Sequence, residues 1–427
     1  MKKILSIILS FSLFLLIGCE QLTISKVSNN DDLSTLITDK EETTTIKETE
    51  KVTTMSEKKT YIGSPIGVGI WHRPNVMGDE TNLDGIKKTL DIFSRCGINI
   101  VYLETIYHGM ATYKSNFLPY YNGFQAHDYG EYKDYLSAFL AEAEKRNIEV
   151  HAWVEDFYIG IELGRLAESH PDWLLLDKNL NTPQKEGNGY YFLDPANKEV
   201  TDFLLNVYHE LLTKYPMVKG LNLDYIRYPV SSKTDDTGYT EAAMRGFLEM
   251  VGREIKEGST LYDTFTKAIS SNYSQWTMFR ASKVTNFVKS VKEMIDKEFN
   301  GVILSTAIFP NMNEAYETKK QEFSLWMKNH YIDVVTPMAY YDDTSTLSYY
   351  LKGMIDGVSD VYCYTGVSCI YHNLSNKLIN EQIDACLNLS DGFVIFGSQR
   401  LLNNNNYISL LESRFKNMDY YLPHLEK

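Results

Sequence analysis

Beyond Tyr61 the chain alternates short apolar runs with longer stretches of mixed polarity. The runs are IGVGIW from Ile66, INIVYLE from Ile98, IEVHAWVE from Ile148, KGLNLD from Lys219, VILSTAIF from Val302, IDVVTPMAY from Ile332, VYCYTGVS from Val361 and GFVIFGS from Gly392. Runs of this length, rich in β-branched residues, predict strands buried on both faces. Between them the pattern predicts helices over 82–96, 131–146, 197–214, 276–299, 320–329, 344–355, 379–389 and 405–415. Tyr135, Leu136, Phe139, Leu140 and Ala143, for example, recur at the three-and-four spacing of a helix packed on one side. Strand then helix, eight times over, predicts an α/β fold of the (β/α)8 TIM-barrel type. An open doubly wound sheet would carry a glycine-rich phosphate loop after its first strand, but only HRPNVMGDE follows Trp71. Neither a dinucleotide fingerprint nor a P-loop occurs elsewhere, so no cofactor is expected.

The first 18 residues have Lys2 and Lys3, an apolar run from Ile4 to Ile17, and Gly18 directly before Cys19. This is the pattern of an export leader rather than a spanning helix. Leu16-Ile17-Gly18-Cys19 resembles the bacterial lipobox, which implies cleavage before Cys19, lipid on its sulfur, and a membrane-anchored lipoprotein of the cell surface or envelope. Residues 19–60 are rich in Ser, Thr, Glu and Lys and nearly devoid of aromatic residues. They cannot bury enough apolar surface to offset ordering entropy and are expected to form a disordered tether. The barrel is assigned to 61–427.

Composition narrows the partners. The formal net charge is -14, with 56 acidic against 42 basic residues, and phosphate binding needs a cationic surface, so no nucleic-acid partner is expected. The remaining cysteines, Cys96, Cys363, Cys369 and Cys386, form no CxxC pair and no zinc-spaced cluster. Buried free thiols are the simplest reading, although Cys363 and Cys369 could pair in an exported protein. HExxH and GxSxG are absent, which argues against a metalloprotease or an esterase and leaves no expected metal.

Strand alternation locates candidate chemistry. In GLNLD, Asn222 and Asp224 share one face and Leu221 and Leu223 the other. Asp224 should face the barrel interior near its carboxyl-terminal mouth, where barrel enzymes carry their sites. The same alternation puts His151, Trp153 and Glu155 together, leaves Asp156 on the other side, pairs Tyr102 with Glu104, and groups Met338, Tyr340 and Asp342. Paired carboxylates at one mouth are what glycoside cleavage requires, one giving a proton to the leaving oxygen and the other attacking or activating water. Asp224 is the candidate nucleophile or electrostatic stabiliser, unless it forms a salt bridge with Arg227 that only shapes the loop. Glu155 is the candidate proton donor, followed by Asp342 and Glu104. Long connections at 157–196 and 226–275 leave from the mouth and are expected to wall a groove. Trp173, Tyr190, Tyr191, Tyr228, Tyr239 and Trp276 fall in or beside them, with flat faces suited to sugar rings. His72, His151, Trp153, Trp173, Tyr225, Arg227, Tyr228 and Tyr340 are the candidate substrate-binding residues.

HAWVEDF at His151, HPDWLL at His170, LDPANKEVTDFLL at Leu193, GLNLDYIRYP at Gly220, TGYT at Thr237, the helix bearing Trp276, Arg280 and Val284, and IDVVTPMAYYDD at Ile332 stand in one order. Together they resemble the glycosyl hydrolase-like 10 family over most of the chain from Ile66 to about Gly397. The resemblance implies a TIM-barrel glycosidase of the bacterial envelope, acting on cell-wall or related glycans, with the family's strand-four aspartate at Asp224. Many members have a second aspartate where this chain has Tyr225, and Asn near the position of Glu155. The expected activity is hydrolysis of a surface glycan, peptidoglycan strands first, by carboxylate acid/base chemistry without metal. The alternative is a carbohydrate-binding lipoprotein with a glycosidase-like barrel and no turnover.

Overall fold

The structure is a computed structural model, and it describes residues 63–426 apart from 76–77, 122, 125–126, 183–188, 231, 356–359, 372–373 and 417. The leader, Cys19 and the tether lie outside the described residues. Eight parallel strands close into a barrel: β1 (Gly67–His72), β2 (Ile100–Tyr107), β3 (Glu149–Glu155), β4 (Gly220–Asp224), β5 (Ile303–Ile308), β6 (Val334–Pro337), β7 (Tyr362–Ser368) and β8 (Gly392–Phe396). Closure comes from β1, which pairs with β8 on one side and β2 on the other.

Helices pack around the outside in the expected order. Besides a short turn of helix at Arg165–Ser169, they are α1 (Leu83–Arg95), α2 (Tyr135–Glu144), α3 (Lys198–Lys214), α4 (Glu241–Met250), α5 (Leu261–Ser271), α6 (Tyr273–Glu298), α7 (Met312–Lys319), α8 (Phe323–Lys328), α9 (Thr344–Ile355), α10 (Asn376–Leu389), α11 (Ser398–Leu402) and α12 (Asn405–Phe415). Local chemistry starts them: Asn82 accepts the Gly85 amide at the head of α1, and Asp134 accepts that of Ser137 at the head of α2. On α1 the residues Ile86, Thr89, Leu90 and Phe93 recur at helical spacing and are buried.

The barrel has two apolar layers. Outward-facing Val68, Ile70, Val101, Leu103, Val150, Ala152, Val154, Leu221 and Leu223 join the helices in one core. The interior is filled by Trp71, Ile100, Tyr102, Trp153, Ala307, Val334, Tyr364, Val394 and Leu422, so it is packed and not a pore. Asn222 is well paired inside it, accepting from Trp71 Nε1 at 2.9 Å and donating to Ser305 and Thr336. Gly366 makes room for the indole, since a Cβ there would lie 3.0 Å from the Trp71 ring.

The second long connection is a lobe with a core of its own. Residues of α4 and α5 pack Ala243, Phe247, Leu248, Phe265 and Ile269 on Trp276 and Phe279 at the start of α6. Asp236 ties the lobe down, accepting from Arg280 at 2.6 Å, Trp276 at 3.0 Å, and Tyr239 and Tyr273 at 3.1 Å each. A buried charge pair is costly to break from one side. Sequence pattern alone left 226–275 as an aromatic groove wall. Instead Trp276 and Tyr239 are buried inside the lobe, because they have each other and Phe265 to pack against. The four described cysteines are buried free thiols, with no Cys363–Cys369 bond.

Candidate active site

Three neighbouring strands each deliver one carboxylate to the mouth. β4 ends on Asp224, which is level with Glu155 at the end of β3, and Glu104 on β2 is level with Trp153. Parallel strands run about 4.8 Å apart, so these three side chains share one sector of the rim. Each is held differently. Glu104 is almost fully buried and takes a two-pronged ion pair from Arg73, Nε to Oε2 at 2.6 Å and Nη2 to Oε1 at 2.7 Å. Glu155, only 4% exposed, accepts the backbone amide of His108 at 2.6 Å. Asp224, half-buried, accepts Trp153 Nε1 at 3.0 Å on one oxygen and the backbone amide of Tyr225 at 2.7 Å on the other.

Two of these bonds depend on an uncommon backbone. His108 and Tyr225 both have left-handed φ, 50° and 49°, a region that costs a side-chain-bearing residue on the order of 1 kcal/mol. In each case the residue turns its amide onto a site carboxylate. The turn at Tyr225 also lays its ring on Tyr158, centroids 4.4 Å apart, and Arg227 covers its face at 4.7 Å.

Electrostatics separate the acids. Burial pushes the Glu155 carboxyl well above the ordinary range, and repulsion from Glu104 adds to it. Asp224 is also raised by burial, but hydrogen bonds from Tyr225 and Trp153 and the charges of Arg227 and Arg73 pull the other way. Burial raises Glu104 too, against the opposing pull of Arg73. Arg73 itself is held more firmly protonated: burial works against its charge, but Glu104 outweighs burial. Glu155 is therefore the acid of the trio that burial and neighbouring charge push well above its ordinary value, while N–H donors and two arginines oppose the rise at Asp224.

Aromatic rings stand on both sides of the acids. One bank is Tyr107, His108, Tyr158 and Tyr225, with the Arg73 guanidinium 4.5 Å over Tyr107. The other comes from the far strands: Tyr340 stacks on Phe396 at 5.2 Å and 17°, and Tyr371 lies beside both. Tyr340 is near enough to Asp224 for that charge to hinder loss of its phenolic proton, beyond the effect of burial.

Several residues expected here from sequence lie elsewhere. Gly67, Gly69 and Trp71 face inward on β1, so His72 faces the helices, with Nε2 2.9 Å from Glu80 and Nδ1 3.0 Å from Ser398. His151 does face inward, but it is level with the first residue of β4, about 13 Å below Glu155 at 3.3 Å per residue. Trp173 is buried, donates to Glu199 at 3.0 Å and packs on Phe203 of α3. Tyr228 is fully buried, with its hydroxyl toward Asp194. Asp342 is exposed, unlike the buried Glu104 and Glu155. Strand alternation fails after Pro337, where Ala339 bonds back to Pro337 and Tyr341 to Ala339. Asp156 faces outward and accepts the Tyr208 hydroxyl of α3 at 2.5 Å. Trp153, Tyr225, Arg227 and Tyr340 are at or beside the acids. Sequence reasoning passed over Arg73, Tyr107, His108, Tyr158 and Phe396. A cation directly after the first strand and an aromatic on the inward face of the last were the available signals.

The fold has relatives of known structure. The catalytic domain of β-amylase from Paenibacillus polymyxa superposes with a TM-score of 0.56 at 12% identity, covering 83% of this chain and 99% of that one. A β-galactosidase from Bacillus circulans sp. alkalophilus gives 0.53 at 11% identity, over 78% of this chain and 50% of that one. Among sequence relatives, glycosyl hydrolase DigH of Escherichia coli (strain K12) is 24% identical over 281 residues, 59% of this chain and 56% of DigH. Glycosyl hydrolase YngK of Bacillus subtilis (strain 168) is 26% identical over 219 residues, 49% of this chain and 36% of YngK. The match thus spans about half of the length of one relative and a third of the other. The sequence profile of the glycosyl hydrolase-like 10 family matches residues 69–386, from β1 into α10, and the chain belongs to that family.

Proposed function

We propose that this protein hydrolyses glycosidic bonds in a bacterial surface glycan, with peptidoglycan strands as the first substrate to test. The observation that carries the proposal is the grouping of Glu104, Glu155 and Asp224 at the carboxyl ends of three adjacent strands, with Arg73 ion-paired to one of them. Glycoside cleavage needs one proton-bearing and one ionised carboxyl group at the scissile bond. Glu155, buried and raised, gives the proton to the leaving oxygen. Asp224, steadied by two N–H donors, faces the developing oxocarbenium charge as nucleophile or as base for water. Arg73 holds Glu104 in place through its two-pronged ion pair. Tyr340 and Phe396 offer flat faces to sugar rings beside the acids. Family membership and the relatives named as glycosyl hydrolases support the same reading. The leader and Cys19 motif support an exported protein held to a membrane by lipid, within reach of such a polymer.

The test is incubation of the purified chain with peptidoglycan and with deacetylated glycans, followed by mass analysis of released sugars. Products from the native chain and none from Asp224→Asn support the proposal. Binding without products from any glycan would instead support a carbohydrate-binding lipoprotein.

A further inference from the structure

The floor of the barrel gathers a second set of ionisable side chains, which the chemistry at the mouth does not use. Glu149 begins β3 and His151 lies two residues on, also facing the interior; His424 arrives from the C-terminal turn Pro423–Glu426. Glu149 Oε2 is 2.8 Å from His424 Nε2 and 3.3 Å from His151 Nε2. One ligating atom from each residue lies within 4.8 Å of the other two. We propose that Glu149, His151 and His424 bind a divalent transition-metal ion of the zinc class, which fastens the C-terminal turn to the barrel.

The donor set selects the class of ion. Two imidazoles and one carboxylate suit zinc and its neighbours, whereas calcium and magnesium take oxygen ligands. A tetrahedral ion at about 2.0–2.2 Å from each donor would space its ligands by about 3.4 Å, close to the separations present. The rings are already aimed. His424 Nδ1 is 2.7 Å from the Tyr364 hydroxyl, an outer partner that leaves Nε2 turned to Glu149. His151 packs edge-on to Tyr102 at 5.4 Å, and it fits because Gly220 has no side chain: a Cβ there would fall 2.4 Å from Nδ1. An entry path exists as well. A cavity of about 460 Å3 opens at this end, lined by Asn99, Glu149, Lys219, Tyr420 and Leu422 among others, and the Glu149 side chain is 19% exposed to it. Water from that cavity supplies the fourth position. Because the third ligand lies 275 residues beyond the first, no local spacing in the sequence announces the site.

The experiment strips the full chain with a chelator, dialyses it, and titrates it with Zn2+ while metal content and Tm are read. One zinc per chain is expected, with Tm rising by several degrees once zinc exceeds its Kd by ~100-fold. His424→Ala and Glu149→Gln should each weaken zinc binding by at least ~10-fold to 100-fold. His209→Ala, which removes an exposed histidine–glutamate pair elsewhere, should leave binding unchanged. Absence of zinc uptake by the native chain would overturn the proposal, as would full uptake by both ligand variants. If a variant fails to fold, Co2+ bound to the native chain decides instead. The visible absorption of a four-coordinate site, abolished by added Zn2+, supports the proposal, and its absence overturns it.

Discussion

The mouth and the floor of this barrel both bury charge, and they do so in opposite ways. At the mouth three carboxylates crowd together with Arg73 ion-paired to one of them; burial raises all three, and repulsion from neighbouring carboxylates adds to it at Glu155 and Glu104. At the floor one carboxylate is held by two imidazoles. Burial works against the Glu149 charge, but hydrogen bonds from His151 and His424 outweigh it and bring this carboxyl below the ordinary range. A single strand serves both ends, since Glu149, His151, Trp153 and Glu155 are alternate residues on the inward face of β3. The lesson is one of division. The mouth sets three carboxylates against one ion-paired arginine, and the floor sets one carboxylate between two imidazoles.

Substitutions at the two ends should therefore separate activity from stability. The largest effect is expected from Asp224→Asn, which should lower kcat by ~1,000-fold, about 4 kcal/mol, without lowering Tm. Product release and thermal unfolding measured side by side check this; a fall in Tm with activity preserved would reverse the assignment of the two ends. Next comes Glu155→Gln, with kcat down by ~100-fold, about 2.7 kcal/mol. The native pH–rate profile should be bell-shaped, with an acid limb from Asp224 above the usual aspartate range and an alkaline limb from Glu155 that this variant loses. Stability supplies a sign test. The folded pKa of Glu155 is raised, so its favourable contribution is complete below the unfolded value of about 4.3 and is lost as pH rises through the folded value. The Tm of Glu155→Gln relative to the native chain should therefore increase with pH.

Glu149→Gln should show the reverse behaviour, losing about 2–3 kcal/mol of stability in denaturant unfolding with kcat retained. A matching loss of kcat would mean that the floor takes part in the chemistry. Smaller still is Tyr340→Ala, for which loss of a stacking face worth about 1 kcal/mol should raise KM roughly fivefold and leave kcat nearly unchanged. Trp173→Phe should change kcat/KM by less than about twofold, because its indole is bonded to Glu199 on α3 and not to the groove.

The barrel was legible because its signals are local. Each of the eight apolar runs became a strand, and helices begin where Asn82 and Asp134 provide caps. The carboxylates were legible for a related reason: period-two alternation needs no distant partner to place Asp224, Glu155 and Glu104 on the inward face. The same rule gives a direction and not a depth, which is why His151 shares a face with Glu155 yet sits near the floor. Loop side chains followed other rules. Trp173 and Tyr228 are turned inward by Glu199 and Asp194, partners that only the folded chain brings near. Arg73 and Phe396 meet the site from opposite ends of the sequence, so their joint role depends on closure of the barrel.

The lobe of α4 and α5, with a private core around Trp276, has an evolutionary corollary. Because its packing does not set the register of the eight strands, a descendant could shorten, exchange or diversify it while inheriting the acid trio intact. Change in the lobe and preservation of the carboxylate sector can thus proceed on separate genetic tracks.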